Sequence, residues 1–317
     1  MTNPVLVEVT RSGFVESVHR GAVVVLDPDG RPILSAGDVT SPIYPRSSSK
    51  PLQALAMLRH GLGLDGEGLA LACASHSGEP RHVRGVLSLL ERYGLGEDDL
   101  RCPKALPRHQ PSMLAAPSPR RVAMNCSGKH TAMLVTCVEA GWDRPGYLDP
   151  EHELQRAIKA TLGEATGEPI GRTGVDGCGA PLFAYSLTGL ARAFGRLVTG
   201  DAQCTRIAGT MRAHPWLVAG TGREDTALMR GVGGLLSKEG AEGVHAVALA
   251  DGTSIALKID DGAARARMPV IVAVLDRLGA LPSDPAAAAV LTGLARGPVL
   301  GGGLPVGEFR VPGALLG

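Results

Sequence analysis

The sequence has 317 residues, of which 44% are hydrophobic and 20% charged, with 32 basic and 31 acidic side chains. This even balance argues against a chain that coats nucleic acid or an anionic membrane, and 3% aromatic residues are too few for a base-stacking platform. The 43 glycines and 23 prolines follow no collagen period. With enough apolar material for a sizeable core and no clear linker, we predict a single domain over residues 1–317.

Cysteine usage and the absence of long apolar segments bear on the compartment. The six cysteines form no C-x-x-C pair, and a chain of this length needs no disulfide staples. The start, residues 1–4, has no basic segment followed by an apolar stretch, and runs such as 68–74 fall short of the ~18–20 residues that span a bilayer. We therefore expect a cytoplasmic protein with reduced thiols.

The first third of the chain reads as strands followed by helices. Residues 5–10 are rich in β-formers, and the apolar run 22–26 meets a turn signal at 27–30 and a further strand at 32–34, which predicts a β-hairpin. From Ser47 the apolar spacing becomes helical until Gly61, with Pro51 in the first turn, where a missing N–H costs nothing. A second helix is predicted over residues 81–93.

The rest of the chain is mostly helical in pattern, until strands return near its end. Residues 97–121, rich in proline and charge, predict a connecting segment. Helices are expected at 129–140, 151–162, 181–194, 201–213 and 268–278, and a second hairpin at 244–250 and 253–259. The tail, 297–317, is glycine-rich with strand-like pieces. This order predicts an α/β (α+β) fold, an antiparallel sheet built from both chain ends and flanked by helices, with a helical subregion.

The first candidate site is Ser47-Ser48-Ser49-Lys50 at the start of the predicted helix. Residues three apart share a helix face, so Ser47 is the serine that Lys50 would touch. A neutral lysine can take the proton of a nucleophilic serine, but its pKa must first fall from ~10.4. On spacing alone, an N-cap serine beside a solvated lysine is the simpler interpretation.

Two further segments could complete such a site. Ser75-His76-Ser77-Gly78-Glu79 follows a buried apolar run, so it either lines a cleft or caps the next helix. Lys258 ends the small face of the strand 253–259, as a site residue or as an ordinary solvent-facing charge. The order S-x-x-K, S-x-N, strand lysine is that of penicillin-binding proteins and serine β-lactamases, although Ser77 replaces the asparagine and no K-T-G follows exactly.

Cys126 and Cys178 lie in short polar segments beside glycines, unlike the apolar surroundings expected for buried structural cysteines. Two thiolates are good zinc ligands, and Lys129 or the more ordinary ligand His130 could be the third. Alternatively, Cys126 is a nucleophile with His130 nearby. The spacing alone does not exclude two unrelated cysteines.

Five motifs in order resemble the asparaginase II family, the class 3, rhizobial-type L-asparaginases, over nearly the whole chain. They are Arg46–Lys50, Ser75–Pro80, Met124–His130, Gly174–Gly179 and Ala219–Arg223. The resemblance implies a serine β-lactamase/glutaminase-like fold, a homodimer, and hydrolysis of L-asparagine to L-aspartate and ammonia. It also implies two catalytic Ser–Lys pairs, Ser47 with Lys50 and Ser75 with Lys258, and a zinc ion on Cys126, Lys129 and Cys178 that is not the hydrolytic centre.

The substrate, a zwitterion, needs a cation for its carboxylate and an acceptor for its ammonium group. We expect Arg46 and His76 to serve the first and Asp176 or Glu79 the second, with Asn125 also in the substrate site. Of the two serines, Ser47 is the predicted nucleophile, although the reverse assignment stays open. The alternatives to an asparaginase are a related amidase or glutaminase, and a non-catalytic homologue that binds an amino acid or a metal.

Overall fold

The computed structural model describes residues 2–313. Its strands are β1 (Val5–Arg11), β2 (Phe14–Leu26), β3 (Pro32–Ala36), β4 (Arg172–Val175), β5 (Pro181–Ala184), β6 (Leu236–Glu239), β7 (Val244–Ala248), β8 (Ser254–Ile259), β9 (Val299–Gly301), β10 (Leu304–Gly307) and β11 (Phe309–Arg310).

The α-helices are α1 (Lys50–Arg59), α2 (Gly66–Ala72), α3 (Pro80–Arg92), α4 (Gln110–Ala115), α5 (Ser127–Ala140), α6 (Glu153–Thr166), α7 (Leu187–Thr199), α8 (Ala202–Ala213), α9 (Pro215–Val218), α10 (Glu224–Gly231), α11 (Arg267–Arg277) and α12 (Pro285–Arg296). A 3₁₀ turn, Arg46–Ser49, leads directly into α1.

The main sheet of the described chain has seven strands, all paired antiparallel, in the order β11-β1-β2-β8-β7-β6, with β3 added beside β2. Strands from the two chain ends therefore interleave, and β2 joins them because it is long enough to pair with β1, β3 and β8. This confirms the predicted class, an antiparallel sheet built from both ends with helices between. It also makes β6 an edge strand.

Helices cover this sheet and continue into a helical subregion. Helix α7 packs against β2, β7 and β8, while α11 packs against β8 and β1. Away from the sheet, α1 contacts α5, α6 and α8. One cluster of buried apolar side chains runs from Leu6 to Ala295 through both parts. Among the described residues, no helix is long and apolar enough to cross a membrane.

The predicted helix over 181–194 is wrong in its first turn. Residues Pro181–Ala184 form the buried strand β5, which pairs with β4, and α7 begins only at Leu187. The helix starts there because the Ser186 hydroxyl accepts the N–H of Gly189 at 2.9 Å and caps it. A short apolar run that is buried on both faces carries no periodicity that separates strand from helix.

The predicted hairpins at 22–34 and 244–259, and the helices at 47–61, 81–93, 129–140, 201–213 and 268–278, are confirmed within a few residues. Among the described residues, the helices and strands without a counterpart in the prediction are α2, α4, α9, α10, α12, β4 and β6. Of these, β6 and α10 matter most, because both border the site described next.

Candidate active site

A cavity of about 550 Å³ lies where the 3₁₀ turn, the loop after α2, the start of α5 and the end of β6 meet. Its lining includes Arg46, Ser47, Ser75, Asn125, Cys126 and Asp176, all six from segments that the sequence singled out. The close approach of β6 to the turn depends on Gly240, because a Cβ there would lie 2.5 Å from the carbonyl oxygen of Pro45. Residues distant in sequence thus share one polar cavity.

The three serines of the turn differ in what their hydroxyls do. Ser48 donates to the carbonyl of Pro45 at 2.7 Å, and Ser49 to that of Arg46 at 2.8 Å, so both are consumed by local backbone acceptors. Ser47, by contrast, is half-buried, lines the cavity, and makes no side-chain hydrogen bond with any other residue between 2 and 313. Its hydroxyl is the one left available to a substrate.

Contrary to expectation, Lys50 does not hydrogen-bond Ser47 but bonds Ala74 and Ser75 instead. Its Nζ donates to the carbonyl oxygen of Ala74 at 2.6 Å and to Oγ of Ser75 at 3.0 Å. A buried amine must find acceptors, and the end of the segment after α2 supplies both. The predicted pairing of Ser75 with Lys258 is likewise replaced, because Lys50 occupies the Ser75 hydroxyl.

The surroundings of Lys50 act on its pKa in both directions. Its side chain is 1% exposed, and burial lowers the pKa, an effect that the sulfurs of Cys126 and Cys178 oppose and the charge of Lys129 reinforces. Neither of its two hydrogen-bond acceptors, the Ala74 carbonyl and the Ser75 hydroxyl, is a carboxylate. The pair Lys50–Ser75 therefore has the character of a base hydrogen-bonded to a hydroxyl.

Lys258 does not join this cluster. It lies on β8, two strands inward from the edge strand β6, and its Nζ donates to the carbonyl of Ile259 at 2.6 Å. Among the described residues, neither Lys258 nor Lys50 belongs to the cavity lining. Burial lowers the pKa of the Lys258 amine, and the carboxylates of Asp260 and Glu242 oppose that shift.

The strand lysine that approaches Lys50 is Lys238, on β6, which sequence reasoning missed. It is fully buried, and its Nζ donates to Oδ2 of Asp225 on α10 at 3.2 Å and to the carbonyl of Glu239 at 3.0 Å. Burial lowers its pKa to about 8, an effect that Asp225 opposes and the positive charge of Lys50 reinforces. Lys238-Glu239-Gly240 keeps the first and third residues of K-T-G, and that signal could have found it.

Arg46 and Asp176 face each other across the cavity. Nε of Arg46 donates to Oδ1 of Asp176 at 2.8 Å, and despite burial the charges of Lys129 and Arg46 hold the pKa of Asp176 below its usual value. Arg46 has φ = +55°, a left-handed conformation that costs a non-glycine residue of order 1 kcal/mol and is concentrated at functional sites. Arg46 lines the cavity, but its charge is already paired.

His76, expected to bind substrate, is used inside the protein. Its Nδ1 accepts the N–H of Gly78 at 3.1 Å, so Nε2 carries the proton and donates to Oγ of Ser127 at 2.9 Å. Burial holds its pKa well below the ordinary value and keeps the ring neutral. With both nitrogens occupied and no place in the cavity lining, His76 shapes the loop instead of contacting a ligand.

Glu79 is also committed elsewhere, since its carboxylate accepts the N–H and the hydroxyl of Thr221, each at 2.8 Å. Asn125, in contrast, lines the cavity half-buried, and its amide makes no side-chain hydrogen bond within residues 2–313. Arg108, on the connecting segment, also lines the cavity, and its guanidinium has no hydrogen bond or ion pair within residues 2–313.

Cys126, Lys129 and Cys178 converge beside the cavity. Nζ of Lys129 lies 3.2 Å from Sγ of Cys178, and a hydrogen bond from Cys126, with the charge of Lys129, lowers the pKa of Cys178 to about 5. Asp176 is adjacent, with Oδ2 3.8 Å from that sulfur. His130, the alternative third ligand, instead places Nδ1 2.7 Å from the hydroxyl of Tyr147.

This donor set fits zinc in kind, because it offers two sulfurs, one of them already favoured as a thiolate, and an amine. It is not a conventional site, since the described residues contain no group of three His, Cys, Asp or Glu side chains arranged to hold a metal ion. Lys129 would have to lose a proton to bind, whereas, despite burial, the sulfurs of Cys178 and Cys126 and the carboxylate of Asp176 hold its pKa above the usual value.

Several solved structures resemble the fold only loosely. EstCE1, a hydrolase with promiscuous acyltransferase activity, is 14% identical, with 76% of this chain and 88% of that chain covered and a TM-score of 0.41. A β-lactamase from Mycobacterium bovis is 17% identical, with 87% and 95% covered and a TM-score of 0.39. Mglu in its tris and glutamate form is 17% identical, with 89% and 64% covered and a TM-score of 0.40. Likenesses at this level say nothing about what the chain acts on.

Comparison with curated proteins gives no match. The family model of L-asparaginase II, in contrast, matches residues 7–311, which include every motif that lines the cavity. A match over nearly the whole chain shows the family, and the protein therefore belongs to the L-asparaginase II family.

Proposed function

We propose that the protein hydrolyses L-asparagine to L-aspartate and ammonia by a Ser–Lys mechanism. The observation that carries the proposal is the buried amine of Lys50, hydrogen-bonded at 3.0 Å to Ser75 in a cavity that also presents the unoccupied hydroxyl of Ser47. Two hydroxyls that line one polar cavity, with a buried amine bonded to one of them, are parts that amide hydrolysis requires. Membership of the family supports a hydrolase of this kind.

Ser47 is the proposed nucleophile. Its Oγ attacks the side-chain carbonyl carbon of asparagine, its proton passes to the Lys50–Ser75 pair, and that pair returns a proton to the departing nitrogen, which leaves as ammonia. An aspartyl ester on Ser47 remains. Water, deprotonated by the same pair, then attacks the ester, and aspartate and the free serine are released. The N–H of Ser47, at the start of the 3₁₀ turn, has no acceptor within that turn and is a donor for the developing oxyanion.

Lys238 is proposed to take the part that the family resemblance gave to Lys258. As an ammonium held by Asp225, it places a fixed positive charge beside Lys50, which helps to keep that amine neutral and favours negative charge developing nearby. A single side-chain methylene separates asparagine from glutamine, and such a difference is worth only about 1–3 kcal/mol in an apolar pocket. Preference for asparagine is therefore part of what must be measured.

The test is ammonia release from asparagine and glutamine by the wild type, Ser47→Ala, Ser75→Ala and Ser48→Ala. We expect release from asparagine, a loss of at least about 1,000-fold in Ser47→Ala, and little change in Ser48→Ala, whose hydroxyl only bonds its own backbone. Mass spectrometry of the rapidly quenched enzyme should locate an aspartyl adduct of Ser47. No release from either amide would refute the enzyme hypothesis, and an adduct on Ser75 would reverse the two serine roles.

We also propose that Cys126, Lys129 and Cys178 hold zinc. Bound there, the metal would supply a positive charge beside the cavity, while the chain's own serines and lysines carry out the hydrolysis. Metal analysis of the purified protein should find about one zinc per chain, lost in Cys126→Ala and retained in Cys204→Ala, a buried cysteine of α8 used as the control. Equal zinc content in both variants would exclude this ligand set.

The homodimer and the cytoplasmic location implied by the sequence also stay proposals. Light scattering of the purified protein should give twice the mass of 32.7 kDa. A mass of one chain at micromolar concentration would exclude the dimer.

A further inference from the structure

The cavity is lined by several cations, and all but one of its arginines are already paired. Arg46 bonds Asp176 at 2.8 Å. Arg223 bonds Glu239, and Arg267 lies 3.0 Å from the same carboxylate. Each of these guanidiniums is therefore already ion-paired with a carboxylate of the protein, and binding a substrate through it would require breaking that ion pair.

Arg108 differs from the other three. It lies on the connecting segment between α3 and α5, its side chain is exposed at the cavity mouth, and within residues 2–313 its guanidinium makes no hydrogen bond or ion pair. Arg223 lines the same cavity, and its pKa is lowered first by burial and then by the charge of Arg108. A guanidinium is planar and always charged, so an unpaired one that lines a polar cavity is suited to bind a carboxylate.

The position of Arg108 is fixed by its backbone. Its N–H donates to the carbonyl of Ser77 at 2.8 Å, and the N–H of His109 donates to the same oxygen at 3.0 Å. The turn that follows Ser75 contains Gly78, whose φ is +70°. A Cβ at Gly78 would lie 2.9 Å from Cα of Pro107, so the connecting segment packs directly on this turn. The backbone of Arg108 is therefore held against the loop that follows Ser75.

We propose that Arg108 binds the α-carboxylate of the substrate and so restricts the enzyme to α-amino acid amides. The inference rests on the proposed function and goes one step further, from the reaction to the group that selects the substrate. It replaces the expected carboxylate partners, since Arg46 is paired with Asp176 and His76 is neutral and buried.

The experiment measures binding separately from turnover. Calorimetric titrations of Ser47→Ala and of Ser47→Ala with Arg108→Gln use L-asparagine and 3-aminopropanamide, which keeps the ammonium and side-chain amide but lacks the carboxylate. We expect Arg108→Gln to weaken asparagine binding by about 10-fold or more, the usual worth of a charge-assisted contact, and to leave binding of 3-aminopropanamide unchanged. Lys104→Gln removes an exposed charge from the same segment, outside the cavity lining, and should change neither.

An equal change for both ligands would show a structural or general electrostatic role and overturn the proposal, as would no change for either. Ammonia release is measured on the corresponding proteins that keep Ser47, and it tests the proposed function independently. Arg108-dependent binding without any ammonia release would refute the hydrolysis and support the carboxylate site. Ammonia release combined with binding that does not depend on Arg108 would support the hydrolysis and refute the carboxylate site.

Discussion

Two lysines of the same sheet, Lys238 and Lys258, show how position decides what a residue type can do. Lys238 is on the edge strand β6, fully buried, with Asp225 as its partner and Lys50 among the charges that act on it. Lys258 is on β8, half-buried, and its amine bonds the neighbouring carbonyl of Ile259.

Burial lowers the pKa of both lysines, so desolvation alone does not separate them. The two lysines differ in where their strands lie in the sheet, since β6 is an edge strand and β8 is an inner strand. A strand at the end of a sheet leaves one side open to elements that are not strands, and here α10 and the 3₁₀ turn pack there and bring Asp225 and the cavity to β6. The inner strand β8 has β2 and β7 on its two sides, and the amine of Lys258 bonds the carbonyl of the next residue, Ile259.

The largest effect is expected on activity. Lys238→Met should lower kcat/KM for asparagine by about 100- to 1,000-fold, the cost of removing one preorganised charge from an active site. Lys258→Met should stay within about 3-fold of the wild type, because within the described residues its amine bonds only the carbonyl of Ile259 and does not approach Lys50 or Ser75. Ammonia release measures both. A large loss in Lys258→Met with a small one in Lys238→Met would restore the original assignment.

The next effect is on stability. Asp225 accepts bonds from the Ser237 hydroxyl at 2.8 Å, the N–H of Glu239 at 2.9 Å and Lys238, so Asp225→Asn places an amide against donors and leaves a buried ammonium unpaired. We expect the free energy of unfolding to fall by about 3–5 kcal/mol. Asp260→Asn, an exposed carboxylate near Lys258, is the control and should cost less than about 1 kcal/mol. Denaturant titration would compare them, and equal losses would contradict the distinction between the two strands.

A smaller effect concerns pH. If Lys238 acts as an ammonium, kcat/KM falls as pH rises through its pKa of about 8, because the charge is lost. Asp225 raises that pKa, so Asp225→Asn should move the alkaline limb to lower pH, by about one unit for each 1.4 kcal/mol of interaction lost. The measurement is the pH profile of ammonia release, with folding checked by circular dichroism at each pH. A limb that stays in place, or moves upward, would exclude Lys238 as its origin.

The smallest effect is expected at the inner strand. Lys258→Gln should change the free energy of unfolding by less than about 1 kcal/mol, because its main bond is to the carbonyl of the next residue and its nearest charges are solvated. Thermal unfolding would detect a larger change. A loss of several kcal/mol would mean that β8 depends on this lysine as β6 depends on Asp225.

The sequence predicted local structure well wherever the determining signal was local. The hairpin turns at Asp27–Gly30 and Asp251-Gly252 and the helix behind Ser47 follow from turn residues and apolar spacing, and each is confirmed. It failed at Pro181–Ala184, where a fully buried strand carries no alternation, and at β6, whose four residues are too few to show a period. The family was also within reach, because five motifs in one order are specific even when each alone is weak.

What the sequence determined by itself was the set of chemically useful segments, because residue type and short spacing are written in the chain. Most of the predicted site residues line one cavity, as the motifs implied. Only the tertiary structure decided the partners of these residues. Lys50 bonds Ser75, and Lys238 rather than Lys258 lies near Lys50. His76 and Glu79 bond groups inside the protein, whereas Arg108 has no side-chain partner among the described residues. Partnership depends on burial and on which segment supplies an acceptor within about 3 Å, and both arise only when distant parts of the chain pack together.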